Sequence, residues 1–195
     1  QIYNTSNLKN GLKVLINDEP YVILDNQFHK PGKGQAFSKL KIRNLINGRV
    51  IDKTLKIGDS LDSADINEKD MQFLYTQGEE LIFMDEETFD QISISTSVAS
   101  SVSSWLKGGE KCAIIFFNGN AINITPPTFV ELKISNTEPG LKGDTATNVM
   151  KDGTLETGVN IKIPLFINEN DLIKVDTRTG EYACLLYTSD AADEL

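Results

Sequence analysis

Residues 21–43 read YVILDNQFHKPGKGQAFSKLKIR: two strand-like runs, Tyr21–Phe28 and Ala36–Arg43, on either side of Lys30-Pro-Gly-Lys-Gly-Gln35. Pro31 fixes φ near −65° and Gly32 tolerates φ > 0, so Pro31-Gly32 is a turn dipeptide. Gly34 follows Lys33. The stretch predicts a β-hairpin whose tip is backbone, small residues and one long amine, that of Lys33. A tip this slim enters a crevice closed to bulkier loops. Taken alone, such a lysine loop is ordinarily no more than a solvated turn.

Strand and turn signals dominate the rest of the chain. Asn17-Asp-Glu-Pro20 separates Leu12–Ile16 from Tyr21–Leu24. Asn47-Gly48 and Asn118-Gly119 each lie between apolar runs, and Asn-Gly is the favoured two-residue hairpin turn. Val159, Ile161, Ile163 and Leu165 alternate with more polar positions, as do Val130, Leu132 and Ile134, the period of half-buried strands. One helix is expected: Ile94, Val98, Val102, Trp105 and Leu106 share a helical face, and Gly108-Gly109 ends it. Ser60–Asp65 reads as a linker and Pro126-Pro127 as a second break.

A chain of 195 residues accommodates one or two ordinary domains or three small ones. Its net charge of −9 argues against a generic nucleic-acid binder, whose footprint is basic. The charge is unevenly spread, however. Residues 1–63 hold ten Lys/Arg against six Asp/Glu, net +4, and the remainder nine against twenty-two, net −13. A basic end on an acidic body docks one end on phosphate while the rest avoids indiscriminate binding.

Other classes find no support. Cys112 and Cys184 form no CxxC and have no His/Cys cluster, so no zinc site is expected. Cys112 opens the apolar run ending at Phe117 and reads as a small core hydrophobe. No apolar stretch reaches the 18–20 or so residues of a membrane span, and no signal-peptide pattern opens the chain. Gln1 is not an initiator, so a start methionine is expected to precede it. The single histidine, His29, has no marked nucleophile or carboxylate partner. Gly32-Lys33-Gly34 lacks the spacing of a P-loop. No catalytic residue, metal ligand or bound cofactor is expected, and the chain does not read as an enzyme.

Several motifs, in order, carry a resemblance. The run HKPGKGQAF (residues 29–37), with Gly11-Leu-Lys13 before it and Lys53-Thr54 after it, resembles the first domain of bacterial elongation factor P. Thr125-Pro-Pro-Thr-Phe-Val-Glu-Leu132 resembles that family's junction between second and third domains. Pro139-Gly-Leu-Lys-Gly-Asp-Thr-Ala146 resembles a loop of its third domain. Thr157-Gly-Val159, Ile163-Pro-Leu-Phe166 and Ile173-Lys-Val-Asp-Thr-Arg-Thr-Gly-Glu-Tyr182 resemble its closing strands. The likeness runs from about Tyr3 to Tyr182.

The resemblance implies an all-β chain of three small barrels. Residues 1–63 would be an SH3-like (KOW-like) domain carrying the Lys33 loop, followed by OB folds at 64–126 and 127–183. It also implies a cytoplasmic, monomeric translation factor that is not itself an enzyme. Its partners would be the 70S ribosome between P and E sites, the P-site peptidyl-tRNA and the mRNA in the E site. Its role would be peptide-bond formation at consecutive prolines. Lys30, Pro31, Gly32, Lys33 and Gly34 would form the loop at the tRNA CCA end; Gly143, Asp144, Thr145 and Tyr182 would contact the E-site codon or tRNA. Lys33 would be covalently modified, with β-lysylation by a lysyl-tRNA-synthetase-like enzyme favoured. An elongation-factor-P-like paralogue and a stand-alone single-stranded RNA-binding OB protein are the competing readings.

The chain departs from the family pattern in places. Gly153 stands where Ala is usual, Asn170 where Gly commonly turns, and Ala183 where a basic residue follows the tyrosine. Residues 184–195, CLLYTSDAADEL, match no family ending and resemble the conceptual translation of a sequencing adapter. They are read as a non-native tail, expected to be poorly packed.

Overall fold

A computed structural model of the chain describes residues 1–140 and 149–187. The described residues form an all-β protein with three antiparallel sheets, arranged in two compact units: residues 1–69 with 114–123, and residues 70–113 with 124 onward.

The first sheet contains β1 (Ile2–Asn4), β2 (Lys13–Ile16), β3 (Glu19–His29), β4 (Phe37–Asn44), β5 (Val50–Lys56) and β6 (Ser60–Ser63), in spatial order β1-β6-β2-β3-β4-β5. Along β4, Ser38, Leu40, Ile42 and Asn44 are buried while Lys39, Lys41 and Arg43 are exposed. This is the two-residue alternation of a strand with one wet face. Leu40 and Ile42 join Val14, Ile16, Ile23 and Leu55 in the core beneath. Asn17 and Asp18 both take positive φ (52° and 64°), which makes the β2–β3 link a tight primed turn.

The link from β4 to β5 is not the two-residue Asn-Gly turn its sequence suggests. Asn44 is buried, and its Oδ1 accepts the N–H groups of Ile46 and Asn47 at 2.8 and 3.2 Å. Its Nδ2 donates to Glu19 at 2.7 Å. This side-chain cap builds a longer loop, in which Gly48 alone has φ > 0.

The second sheet has the order β11-β10-β7-β8-β9, from β7 (Ile66–Gln77), β8 (Glu80–Met84), β9 (Gln91–Ser95), β10 (Lys111–Phe117) and β11 (Asn120–Thr125). Asn118 and Gly119 turn at φ 49° and 81°, as the sequence indicates. The expected helix over 94–106 is absent. Ile94 lies in β9 opposite Leu81, the chain then turns, and only Ser103–Trp105 forms one 3₁₀ turn. Ser95 explains part of this: its hydroxyl meets the Ser97 N–H and hydroxyl, offering the backbone a turn in place of a helix. Ile94, Ala99, Val102 and Leu106 are nonetheless buried, so the apolar spacing is used by successive turns.

The third sheet runs β14-β13-β12-β15-β16, from β12 (Phe129–Thr137), β13 (Met150–Leu155), β14 (Asn160–Pro164), β15 (Leu172–Asp176) and β16 (Glu181–Leu186). Edge strands β14 and β16 approach each other, so the sheet curls toward a barrel. Trp105 packs against its core, with ring atoms 3.8 and 3.9 Å from where a Cβ on Gly180 would sit. Gly153 is buried, and a Cβ there would lie 2.5 Å from Ile163 Cδ1. The side chain of Ile163 fills the space an alanine would need. Asn170 takes φ 69°, so asparagine does serve in the glycine turn.

The tail needs a correction. Cys184, Leu185 and Leu186 complete β16, paired with Lys174, Ile173 and Leu172, and Leu185 packs on the third core. Unpaired backbone on β15 accepts any extended partner, and an apolar residue at position 185 supplies the inward contact. Residues 188–195 lie outside those described.

A chain ended after Ala183 should melt about 3–6 °C below one ended after Tyr187, from the loss of about 1–2 kcal/mol of Leu185 burial. Equal melting temperatures would show that these residues add nothing to the sheet. Cys112 is buried, and desolvation, with Glu110 adding to it, pushes its thiol up to about 12. Its neutral form is favoured by the fold, so this contribution is intact below the ordinary thiol value of 9.0 and is lost as pH rises toward 12. A Cys112→Val variant should therefore lose less stability than the parent between pH 9 and 11 in parallel melts. Native-state labelling should modify the exposed Cys184 and spare Cys112.

Candidate functional site at the lysine hairpin

Strands β3 and β4 pair from Tyr21–Asn44 to His29–Phe37, with one register shift between Ile23 and Asp25. That shift moves Leu24 out of register. Before it, Ile23 faces the core opposite Ile42; after it, Asp25, Gln27 and His29 face outward opposite Lys41, Lys39 and Phe37. The inner face of the hairpin is then mixed, with Leu40 and Ser38 buried and Asn26 partly buried, and the outer face carries the charges.

Residues Lys30 to Gln35 at its end are all exposed. Ala36 is buried and its carbonyl accepts the Ile57 N–H at 3.2 Å, which ties the loop's return to the segment after β5. Gly34 takes φ 113°, a conformation that excludes other residues at little cost to glycine, and the Pro31 ring lies 3.9 Å from its missing Cβ. Lys33 forms no hydrogen bond or ion pair among the described residues. Its amine reaches about 6 Å from its Cα in a fully extended rotamer. The structure thus brings Lys30, Pro31, Gly32, Lys33 and Gly34 together as one exposed tip.

The outer face below the tip is organised in cross-strand rungs. Asp25, Lys41 and Asp52 form one, Gln27, Lys39 and Thr54 the next, and His29, Phe37 and Lys56 the last before the loop; Arg43 lies opposite Val50 at the far end. A shallow depression of about 220 Å³ lies over the first two rungs. Lys41 thus has a carboxylate strand on each side, whereas Lys39 and Arg43 face neutral partners on β5. His29 and Phe37 stack, with centroids 5.1 Å apart and planes 22° from parallel. Sequence reasoning missed both the stack and the acid-flanked lysine. The signal was the alternation after Asp25, legible only once the register shift is known.

Of the other expected positions, Gly143, Asp144 and Thr145 lie outside the described residues. Tyr182 is half-buried on β16 opposite Val175 and packs on the third core; that burial, first of all, raises its hydroxyl pKa. Among the described residues no group of three or more His, Cys, Asp and Glu side chains is placed to hold a metal, and no helix is long and apolar enough to cross a membrane.

The all-β chain that projects this glycine-flanked lysine from its first sheet is similar to known translation factors. Three family models match it: the elongation factor P KOW-like domain over residues 4–61, the elongation factor P OB domain over 66–124, and the elongation factor P C-terminal domain over 130–184. The chain belongs to the elongation factor P family. It is 48% identical over 180 residues to elongation factor P of Xylella fastidiosa (strain M23), covering 92% of this chain and 96% of that one. It is 46% identical over 181 residues to elongation factor P of Stenotrophomonas maltophilia (strain K279a), covering 93% and 96%. Elongation factor P 2 of Protochlamydia amoebophila (strain UWE25) is also 46% identical, over 180 residues, covering 92% and 95%. Among solved structures, eukaryotic translation initiation factor 5A from Methanococcus jannaschii aligns at TM-score 0.50 and 22% identity, over 65% of this chain and 92% of that one. An eif-5a family protein from Naegleria fowleri aligns at 0.52 and 16%, over 64% and 97%. These two likenesses are of fold.

The rungs make a charge prediction independent of any partner. On a heparin column, Lys39→Ala and Arg43→Ala should each elute at clearly lower salt than the parent, and Lys41→Ala should shift less. Asp25→Asn with Asp52→Asn should elute later. Equal shifts for all three cations would show that the flanking acids do not screen Lys41.

Proposed function

We propose that the chain acts on the ribosome between the P and E sites, where the hairpin tip reaches the CCA end of the peptidyl-tRNA and promotes peptide-bond formation at consecutive prolines. The observation that carries this reading is Lys33: exposed, glycine-flanked, without a hydrogen bond or ion pair among the described residues, and held beyond the core on a paired hairpin. Family membership supplies the translational setting. Proline is a poor donor and acceptor because its ring restricts φ and misaligns the reacting groups. Fixing the tRNA end near the attack geometry lowers the entropic part of that barrier, and the factor needs no nucleophile or general base of its own.

In this reading residues 1–63 dock on phosphate through their cations, and the acidic barrels of 64–126 and 127–183 contribute shape. Gly143, Asp144, Thr145 and Tyr182 meet the E-site codon or tRNA. Lys33 carries a covalent extension, β-lysylation being favoured, attached by a lysyl-tRNA-synthetase-like enzyme. The 6 Å or so of a bare lysine is short for a crevice, and acylation of Nζ by a second amino acid roughly doubles it.

Lys33→Ala should fold normally, with stability within about 0.5 kcal/mol of the parent, since an exposed tip side chain contributes little. In a reconstituted translation assay it should slow synthesis through a polyproline stretch at least about tenfold relative to the parent. It should leave a proline-free message unaffected. Full rescue by Lys33→Ala would overturn the reading. Intact mass of the protein from its native host would report the extension on Lys33.

A further inference from the structure

The His29–Phe37 stack occupies the last rung before the loop, on the outer face. Backbone pairing already fixes the hairpin there, from Gln27–Lys39 through His29–Phe37. His29 is exposed, and Phe37, half-buried, backs its ring at 5.1 Å. Cations surround this pair. Lys56 is the cross-strand partner of Phe37 on β5, and Lys39 lies two residues along β4 on the same face, about 7 Å away at strand rise. Lys30 adjoins His29 in the chain, and Lys33 ends the tip. Asp25 and Asp52 lie two rungs further down, and Asp59 sits close to the end of β5, its carboxylate accepting the Lys56 backbone N–H at 2.8 Å.

An exposed ring face with amines on either side has a definite complement: a planar heteroaromatic ring with a phosphate before and after it. Bases stack on aromatic side chains irrespective of sequence, while lysines track the backbone. We propose that the His29–Phe37 stack is the platform for one unpaired nucleobase, the phosphates of its strand running from Lys39 and Lys56 toward Lys30 and Lys33. Resting on the reading above, that strand is the single-stranded 3′ end of the P-site tRNA. His29 is then a positioning residue: it holds the nucleotide chain in register with Lys33 and takes no part in the reaction.

A cross-strand aromatic pair also stabilises hairpins with no ligand involved. Ribosomes carrying P-site tRNA with an intact 3′ end, or tRNA lacking its unpaired 3′ nucleotides, separate the two roles. With intact tRNA, His29→Ala should weaken binding of the factor about tenfold, the scale of one base stacked on one ring. With truncated tRNA it should bind within about twofold of the parent. His29→Tyr, which keeps a ring, should restore binding to intact tRNA, and His29→Lys, which keeps only a cation, should not. Equal losses on both tRNAs, tracked by a drop in melting temperature, would reduce the stack to hairpin packing and overturn the proposal, as would no loss on either. The two claims fail separately. Polyproline rescue by Lys33→Ala removes the reading beneath; loss of rescue there, with His29→Ala indifferent to the tRNA end, removes only the platform.

Discussion

The register of β3 against β4 is the constraint on which the first sheet depends. Side chains alternate with a period of two, so a slip of one residue would bury Lys39, Lys41 and Arg43 and expose Leu40 and Ile42. Burying a single unpaired ammonium costs far more than a hairpin's pairing returns. Leu40 and Ile42, fully buried, therefore hold the register from below, and the cations hold it from above. The shift at Leu24 is part of the same solution. It lets Ile23 face the core while Asp25, Gln27 and His29 face solvent beside the basic strand.

From that register the tip's properties follow. A paired hairpin carries Lys33 beyond the core without a long loop, and Gly34 with Pro31 closes the end in little volume. The outer face is graded. Lys41 is flanked by Asp25 and Asp52 in the middle, whereas Lys39, one rung nearer the loop, has the neutral cross-strand partners Gln27 and Thr54. The second unit serves differently: Trp105 packs on the third core, and Lys107 reaches Glu156 at 3.6 Å, joining the 3₁₀ segment to the third sheet.

Much of this was legible in the sequence, and the exceptions have physical causes. The strand at β4, the alternation in β12 and β14 and the turn at Asn118-Gly119 were readable because local pattern and tertiary demand agree. Asn170 was readable because few residues tolerate φ > 0. The 94–106 segment misled because apolar spacing near 3.6 also fits a series of tight turns, and Ser95 and Ser97 tip the choice by bonding locally. Asn47-Gly48 misled because the deciding residue was Asn44, whose side chain caps the loop from outside the turn. In the tail, Leu185 gained a place by its fit to an open strand edge, a property of β15 that its own sequence does not carry. At the candidate site the tip was plain from its glycines and proline. The aromatic stack and the acid-flanked lysine were hidden by one out-of-register residue.

The central claim is that the hairpin delivers position 33 to the 3′ end of the P-site tRNA. Directed hydroxyl-radical probing tests it most directly: an iron chelate tethered to Lys33→Cys, with Cys184→Ser removing the exposed thiol and the buried Cys112 left in place. On ribosomes holding peptidyl-tRNA in the P site, the account predicts strand scission confined to the tRNA's 3′-terminal nucleotides and the rRNA around them. Scission elsewhere on the ribosome, or none above the untethered control, would contradict it.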